Sequence, residues 1–127
     1  MLYGKYQVIF SVEPKGKMLD NLVVKTLLYQ AGLLFQESTG CYKGTQEQSI
    51  VVTIDSPEQL ALIKAITRIY KQESILHIDD NNNAALEELD NGKVTPLGTL
   101  FATTREKAIE ESAWTYIHNT NQFYYCK

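Results

Sequence analysis

Between Glu37 and Val52 the chain gathers most of the side chains that could do chemistry. A thiol (Cys41), a phenol (Tyr42), a carboxylate (Glu47) and four hydroxyls (Ser38, Thr39, Thr45, Ser49) fall within a dozen residues of one another. Two glycines, Gly40 and Gly44, punctuate the polar half, and Ile50, Val51 and Val52 follow it. Small polar residues around glycines, with no apolar periodicity from Ser38 to Gln46, predict a shaped loop. A polar hairpin between two strands is the alternative. The β-branched run predicts a buried strand, and loops held by rigid strands often carry binding groups. The net charge of −3 does not oppose a cationic or zwitterionic ligand. His77 and His118 stand alone and neither cysteine has metal-ligand spacing, so the sequence offers no zinc site.

The elements that must position this stretch follow from apolar spacing. Tyr6 to Val12 alternates as a first strand, and Glu13-Pro14-Lys15-Gly16 ends it as a turn. Leu19, Leu22, Val23, Leu27 and Ala31 recur at helical spacing over 17–31, and Gly32 is a natural stop. Leu33 to Phe35 forms a short second strand, and Ile50 to Ile54 the third. Ser56, Pro57 and Gln59 write an N-cap, a first-turn proline and a capping box for a helix running to about Lys71. Ser74 to Ile78 is the fourth strand. Asp79 to Asn83 is a turn that lacks the glycine and terminal acid of a calcium loop. Asn91-Gly92 predicts an added hairpin joining 84–89 to 94–103, and 105–113 is either a short helix or the end of a loop. Strand, helix, strand, strand, helix, strand is the α+β, ferredoxin-like βαββαβ order. It predicts an antiparallel sheet with two helices on one face and a C-terminal β extension.

At 127 residues, 44% hydrophobic and 21% charged, the composition predicts one domain, 1–127, with an ordinary soluble core. A net charge of −3 and a pI near 5.3 oppose a nucleic-acid binder, for want of a basic stripe. No apolar run approaches the ~20 residues that span a bilayer, and the start lacks signal-peptide character. Two lone cysteines fit a reducing cytoplasm. Trp114, Tyr116, Phe123, Tyr124 and Tyr125 crowd the tail. Some are expected against a neighbouring subunit, with burial inside the monomer as the alternative.

Glu37-Ser38, Thr39-Gly40-Cys41-Tyr42 and Glu47 before Ile50-Val51-Val52 resemble the bacteriophage S-adenosylmethionine lyases, long called SAM hydrolases. The likeness extends to Ile9-Phe10, Glu13-Pro14, Gln72-Glu73-Ser74-Ile75-Leu76, Pro96-Leu97-Gly98 and Trp114. Tyr42 and Glu47 stand closer together here than in the family pattern, which keeps Glu37 as the alternative carboxylate. The resemblance implies a fold similar to PII-type proteins and a homotrimer with ligand sites between subunits. The implied reaction yields 5′-methylthioadenosine and homoserine lactone. The substrate's own carboxylate displaces its thioether, with no cofactor and no metal. It also implies Glu47 and Tyr42 as catalytic residues, with Ser38, Gly40, Gly44, Ser49 and Gln72 as substrate contacts. The implied setting is the host cytoplasm, where loss of the methyl donor disarms restriction systems. Two other readings compete. One is a non-catalytic, PII-like trimer that binds or sequesters a nucleotide, for which the stretch offers only Lys43 as a phosphate partner. The other is a structural phage protein whose tail forms an interface.

Overall fold

The computed structural model describes residues 6–11, 18–42, 44–111 and 113–127, with the backbone alone for 18–20 and 42. The elements are β1 (Gln7–Phe10), α1 (Met18–Gln30), β2 (Leu34–Tyr42), β3 (Thr45–Thr53), α2 (Pro57–Ile69) and β4 (Ser74–Ile78). They continue as β5 (Asn83–Glu88), β6 (Val94–Thr103), α3 (Arg105–Glu110), β7 (Ala113–Ile117) and β8 (Gln122–Cys126). The expected end of the first strand at Val12, the turn at 13–16 and the helix start at Lys17 lie outside the described residues.

All eight strands join in one antiparallel closed barrel, ordered β1-β3-β2-β7-β8-β6-β5-β4. This overturns the ferredoxin-like, PII-like sandwich. The first six elements do come in the order read from the sequence, but their sheet is not left open. β5 pairs with β4 along one edge, and β7 pairs with residues 38–42 of β2 along the other. β6 and β8 then meet over 100–103 and 123–126, so the expected extension supplies half the barrel. Closure satisfies the backbone groups that an open sheet leaves at its edges.

The predicted loop at 38–46 is corrected as well. Those residues are the paired ends of β2 and β3, from Ser38↔Ser49 to Tyr42↔Thr45, so the hairpin alternative is what forms. The hairpin around Asn91-Gly92 forms as expected, with a register shift at Ala84/Ala85 near Pro96. A bulge tolerates the proline's missing donor.

Strand alternation divides the apolar residues between two cores. Val8, Phe10, Ile50, Val52 and Ile75 face outward and pack with Val24 and Leu28 of α1 and Ile63 and Ile66 of α2. Ile9, Val51, Ile78, Leu100, Ile117 and Tyr124 face inward and fill the lumen. β1 is therefore buried on both faces along its whole length, which explains the consecutive apolar residues Val8, Ile9 and Phe10. α2 starts as predicted: Ser56 Oγ accepts from Gln59 N at 3.3 Å, and Gln59 Oε1 accepts from Asp55 N at 2.6 Å. Gln59 thus reaches the residue before the cap rather than the cap itself.

Candidate functional site at the barrel mouth

The inner core stops short of one end of the barrel. Beyond it lies a cavity of about 1030 Å³, bounded by the last residues of β1, β2, β5 and β8 and the first of β3, β4, β6 and β7. That volume is at the upper end of the range for small-molecule sites. Closure of the barrel creates the depth.

The β2–β3 hairpin forms one wall. Cross-strand partners share a face, and Ser38 pairs with both Ser49 and the inward-facing Ile117. Ser38, Gly40, Glu47 and Ser49 are accordingly on the lumen face. Gly40 is the cross-strand partner of Glu47, and both line the cavity. Beneath them Ser38 Oγ and Ser49 Oγ lie 2.7 Å apart, with Ser38 fully buried and Ser49 open to the cavity. When Ser38 donates, Ser49 keeps its own proton for a ligand. Ser11 Oγ donates to Gln48 O at 2.6 Å, which anchors β3 beside Glu47 to the end of β1.

Gln72 lines the same cavity from the connection between α2 and β4. Lys71, just before it, has φ 56, which turns the chain sharply toward the lumen. The other expected residues fall differently. Gly44 sits at the hairpin tip with φ 81 and is not part of the cavity wall. The backbone of Tyr42 pairs with Thr45 and Ala113 at the rim, and its side chain lies outside the described residues.

Glu37, the alternative carboxylate, is elsewhere. It lies in a shallow surface depression with His118, and Lys25 Nζ donates to its Oε1 at 2.8 Å. That hydrogen bond holds its carboxyl below the ordinary glutamate value, against a smaller opposing effect of burial. Glu37 is engaged outside the cavity.

Among the described residues the cavity wall carries four carboxylates, Glu47, Glu73, Glu88 and Asp90, and one ammonium, that of Lys71. A low-dielectric concavity lined by one sign of charge concentrates the opposite sign, so the site favours cations over phosphates. Tyr124 adds an aromatic ring from the lumen face. Trp114 and Tyr125, paired with each other, face outward and pack on Phe123 and Phe101. Neither Tyr124 nor Glu88 and Asp90 were expected at the site. The signal that marks Tyr124 is β alternation in the tail, which puts Ala113, Thr115, Tyr124 and Cys126 on the lumen face. Burial pushes the Cys126 thiol above its ordinary value, so this wall residue resists ionisation. Among the described residues no cluster of three His, Cys, Asp or Glu side chains could hold a metal ion. No helix among them is long and apolar enough to cross a membrane.

A family model described as the S-Adenosylmethionine lyase family matches residues 15–127 of this sequence. No curated protein matches it significantly. The family match spans nearly the whole barrel, including every strand that contributes to the cavity except β1.

Proposed function

The chain belongs to the S-Adenosylmethionine lyase family, and on that premise we propose that it cleaves S-adenosylmethionine in the barrel-mouth cavity. The products are 5′-methylthioadenosine and homoserine lactone. One observation carries the proposal: Gly40, Glu47, Ser49 and Gln72 converge on a single acidic cavity of nucleoside size.

The reaction asks little of the protein beyond placement. An oxygen of the substrate carboxylate attacks the γ-carbon of the same molecule, and the γ-carbon–sulfur bond breaks with its electron pair going to sulfur. The sulfonium becomes a neutral thioether, the carboxylate becomes a lactone, and no proton moves. Folding the amino-acid chain into that attack geometry is a positioning effect. Both charges vanish along the coordinate, so the site gains nothing by gripping them tightly.

In this reading Glu47 holds the ammonium or sulfonium side of the substrate. Gly40, opposite it, leaves the wall without a side chain where the ligand approaches. Ser49, backed by Ser38, and Gln72 supply hydrogen bonds, and Tyr42 is carried over from the family resemblance as the residue that packs against the substrate. The excess of carboxylates on the wall supports a cationic substrate and disfavours a phosphate-bearing one. A phage counter-defence role in the host cytoplasm, depleting the methyl donor, belongs to the same proposal and rests on the resemblance to bacteriophage lyases. So does a homotrimer, for which the exposed Leu22, Leu27, Tyr29 and Ile69 of α1 and α2 offer apolar surface.

The test is product analysis after incubation with S-adenosylmethionine, with wild type beside Glu47→Gln. Methylthioadenosine and homoserine lactone are expected from wild type. Misplacement of the substrate is expected to slow the variant on the order of 100-fold. No products from folded wild-type protein would refute the lyase. Equal rates would remove Glu47 from its role.

A further inference from the structure

The inward rows of the barrel change chemistry in one step. Val51, Ile9 and Leu76 stand side by side on β3, β1 and β4, and Leu86 of β5 pairs with Leu76. Two residues nearer the mouth, the same strand faces carry Ser49, Ser11, Ser74 and Glu88, and all four line the cavity. Ser49 is backed by Ser38 at 2.7 Å, and Ser74 is the cross-strand partner of Glu88. A belt of hydroxyls thus crosses adjacent strands and ends in a carboxylate.

The backbone of Glu88 is clamped while its side chain is open to the cavity. Its N donates to Lys93 O at 2.9 Å, and its O accepts from Gly92 N at 2.8 Å. Leu89 N, next to it, donates to Glu73 O at 2.9 Å. Glu87, one residue earlier, shares the outward face of Ile75 and is engaged by Lys64 and His77. Among the described residues the Glu88 carboxylate has no hydrogen-bond or ion-pair partner. A carboxylate accepts through two oxygens, so it can take both O–H groups of a vicinal diol as charge-assisted bonds. Serine hydroxyls beside it donate and accept, which matches the same two capacities in a sugar. Glu47, assigned to the charged end of the substrate, stands on β3, separated from Glu88 by β1 and β4. The two acids therefore suit different parts of one ligand.

We propose that Ser11, Ser74 and Glu88 form the sugar subsite, with Glu88 as the specificity-determining residue that accepts both ribose hydroxyls. The assignment rests on the lyase reading of the cavity and adds what separates a ribonucleoside from a deoxyribonucleoside there. Accepting neutral hydroxyls leaves the carboxylate charged, so the cavity keeps its preference for a cation.

5′-Methylthioadenosine carries the ribose and no charge, so its binding isolates the sugar contact. In calorimetry, wild type is expected to bind it on the order of tenfold more tightly than its 2′-deoxy analogue. Glu88→Gln is expected to weaken methylthioadenosine on the order of tenfold, and S-adenosylmethionine by a similar factor. In that variant the two nucleosides are expected to bind within about twofold of each other, a coupling that general loosening of the barrel would not produce. Equal binding of the two nucleosides to wild type, or binding of neither, overturns the sugar assignment. So does a Glu88→Gln variant that weakens S-adenosylmethionine alone, which would put Glu88 at the charged end. In each of these cases a wild type that still cleaves S-adenosylmethionine keeps the lyase reading. A wild type that neither binds nor cleaves it overturns both.

Discussion

Gly98 tests the closure of the barrel in a single substitution. It has φ +102, and a Cβ built on it would lie 2.5 Å from the backbone oxygen of Lys127 and 2.7 Å from its carbonyl carbon. That carbonyl cannot yield independently, because Thr99 N donates to Lys127 O and Lys127 N donates to Thr99 O, each at 2.9 Å. These two bonds extend the β6–β8 seam past Leu100↔Cys126. Gly98→Ala therefore incurs backbone strain of about 1–3 kcal/mol and pries apart two backbone hydrogen bonds worth about 1 kcal/mol each. A total of about 3–5 kcal/mol is a large share of the 5–15 kcal/mol typical of a whole domain. Gly92→Ala is the matched control, since Gly92 has φ +72 with nothing within 4 Å of its would-be Cβ. Only strain applies there, about 1 kcal/mol. Urea unfolding of the two variants and wild type measures both costs. If they agree within about 0.5 kcal/mol, the end of the chain does not lie against Gly98 and the seam that completes the cavity is not formed as described.

Two further predictions concern the helix and ion-pair layer outside the barrel. Ser56→Ala removes the acceptor for Gln59 N and is expected to cost about 1 kcal/mol in urea unfolding, with Ser56→Asp nearly neutral. Glu87 accepts from Lys64 Nζ and His77 Nε2, each at 2.8 Å, with only 13% of its side chain exposed. Burial pushes its carboxyl up, but the hydrogen bonds from Lys64 and His77 prevail and hold it below the ordinary value. A depressed carboxyl contributes stability above its unfolded-state value, and that contribution is lost as pH falls through the folded value. Glu87→Gln is expected to cost about 1–3 kcal/mol at neutral pH and to flatten the loss of stability below the ordinary glutamate range. An unchanged acid limb in thermal melts against pH would show that Glu87 does not carry it.

Local structure was legible where one physical signal sufficed. The Ser56-Pro57-Gln59 cap, the apolar run of β4 and the Asn91-Gly92 hairpin each depend on a few neighbouring residues, and each is present. The global architecture depends on pairings such as Tyr42↔Ala113 and Leu100↔Cys126, and no local pattern encodes which edge a late strand joins. A complete βαββαβ order by residue 78 made the remaining strands look like an appendage. The aromatic tail carried a usable warning. Two cross-strand aromatic pairs, Trp114 with Phe123 and Tyr116 with Phe123, tie β7 to β8 inside one chain.

The difference at 38–46 has a cause that bears on function. Polar residues and glycines mark a loop in sequence, yet Ser38, Gly40, Glu47 and Ser49 lie on the lumen face of two paired strands. Ser38 and Gly40 alternate along β2, and Glu47 and Ser49 alternate along β3 in register with them. A strand face that meets a packed core must be apolar, as Val51 and Ile117 are farther down the same lumen. A strand face that meets a ligand cavity must instead present hydroxyls, a carboxylate and bare backbone. The change from Ser49 to Val51 along β3 thus marks the floor of the cavity. The residues that looked like a loop are those in which a period-2 pattern crosses from the packed core into the binding space.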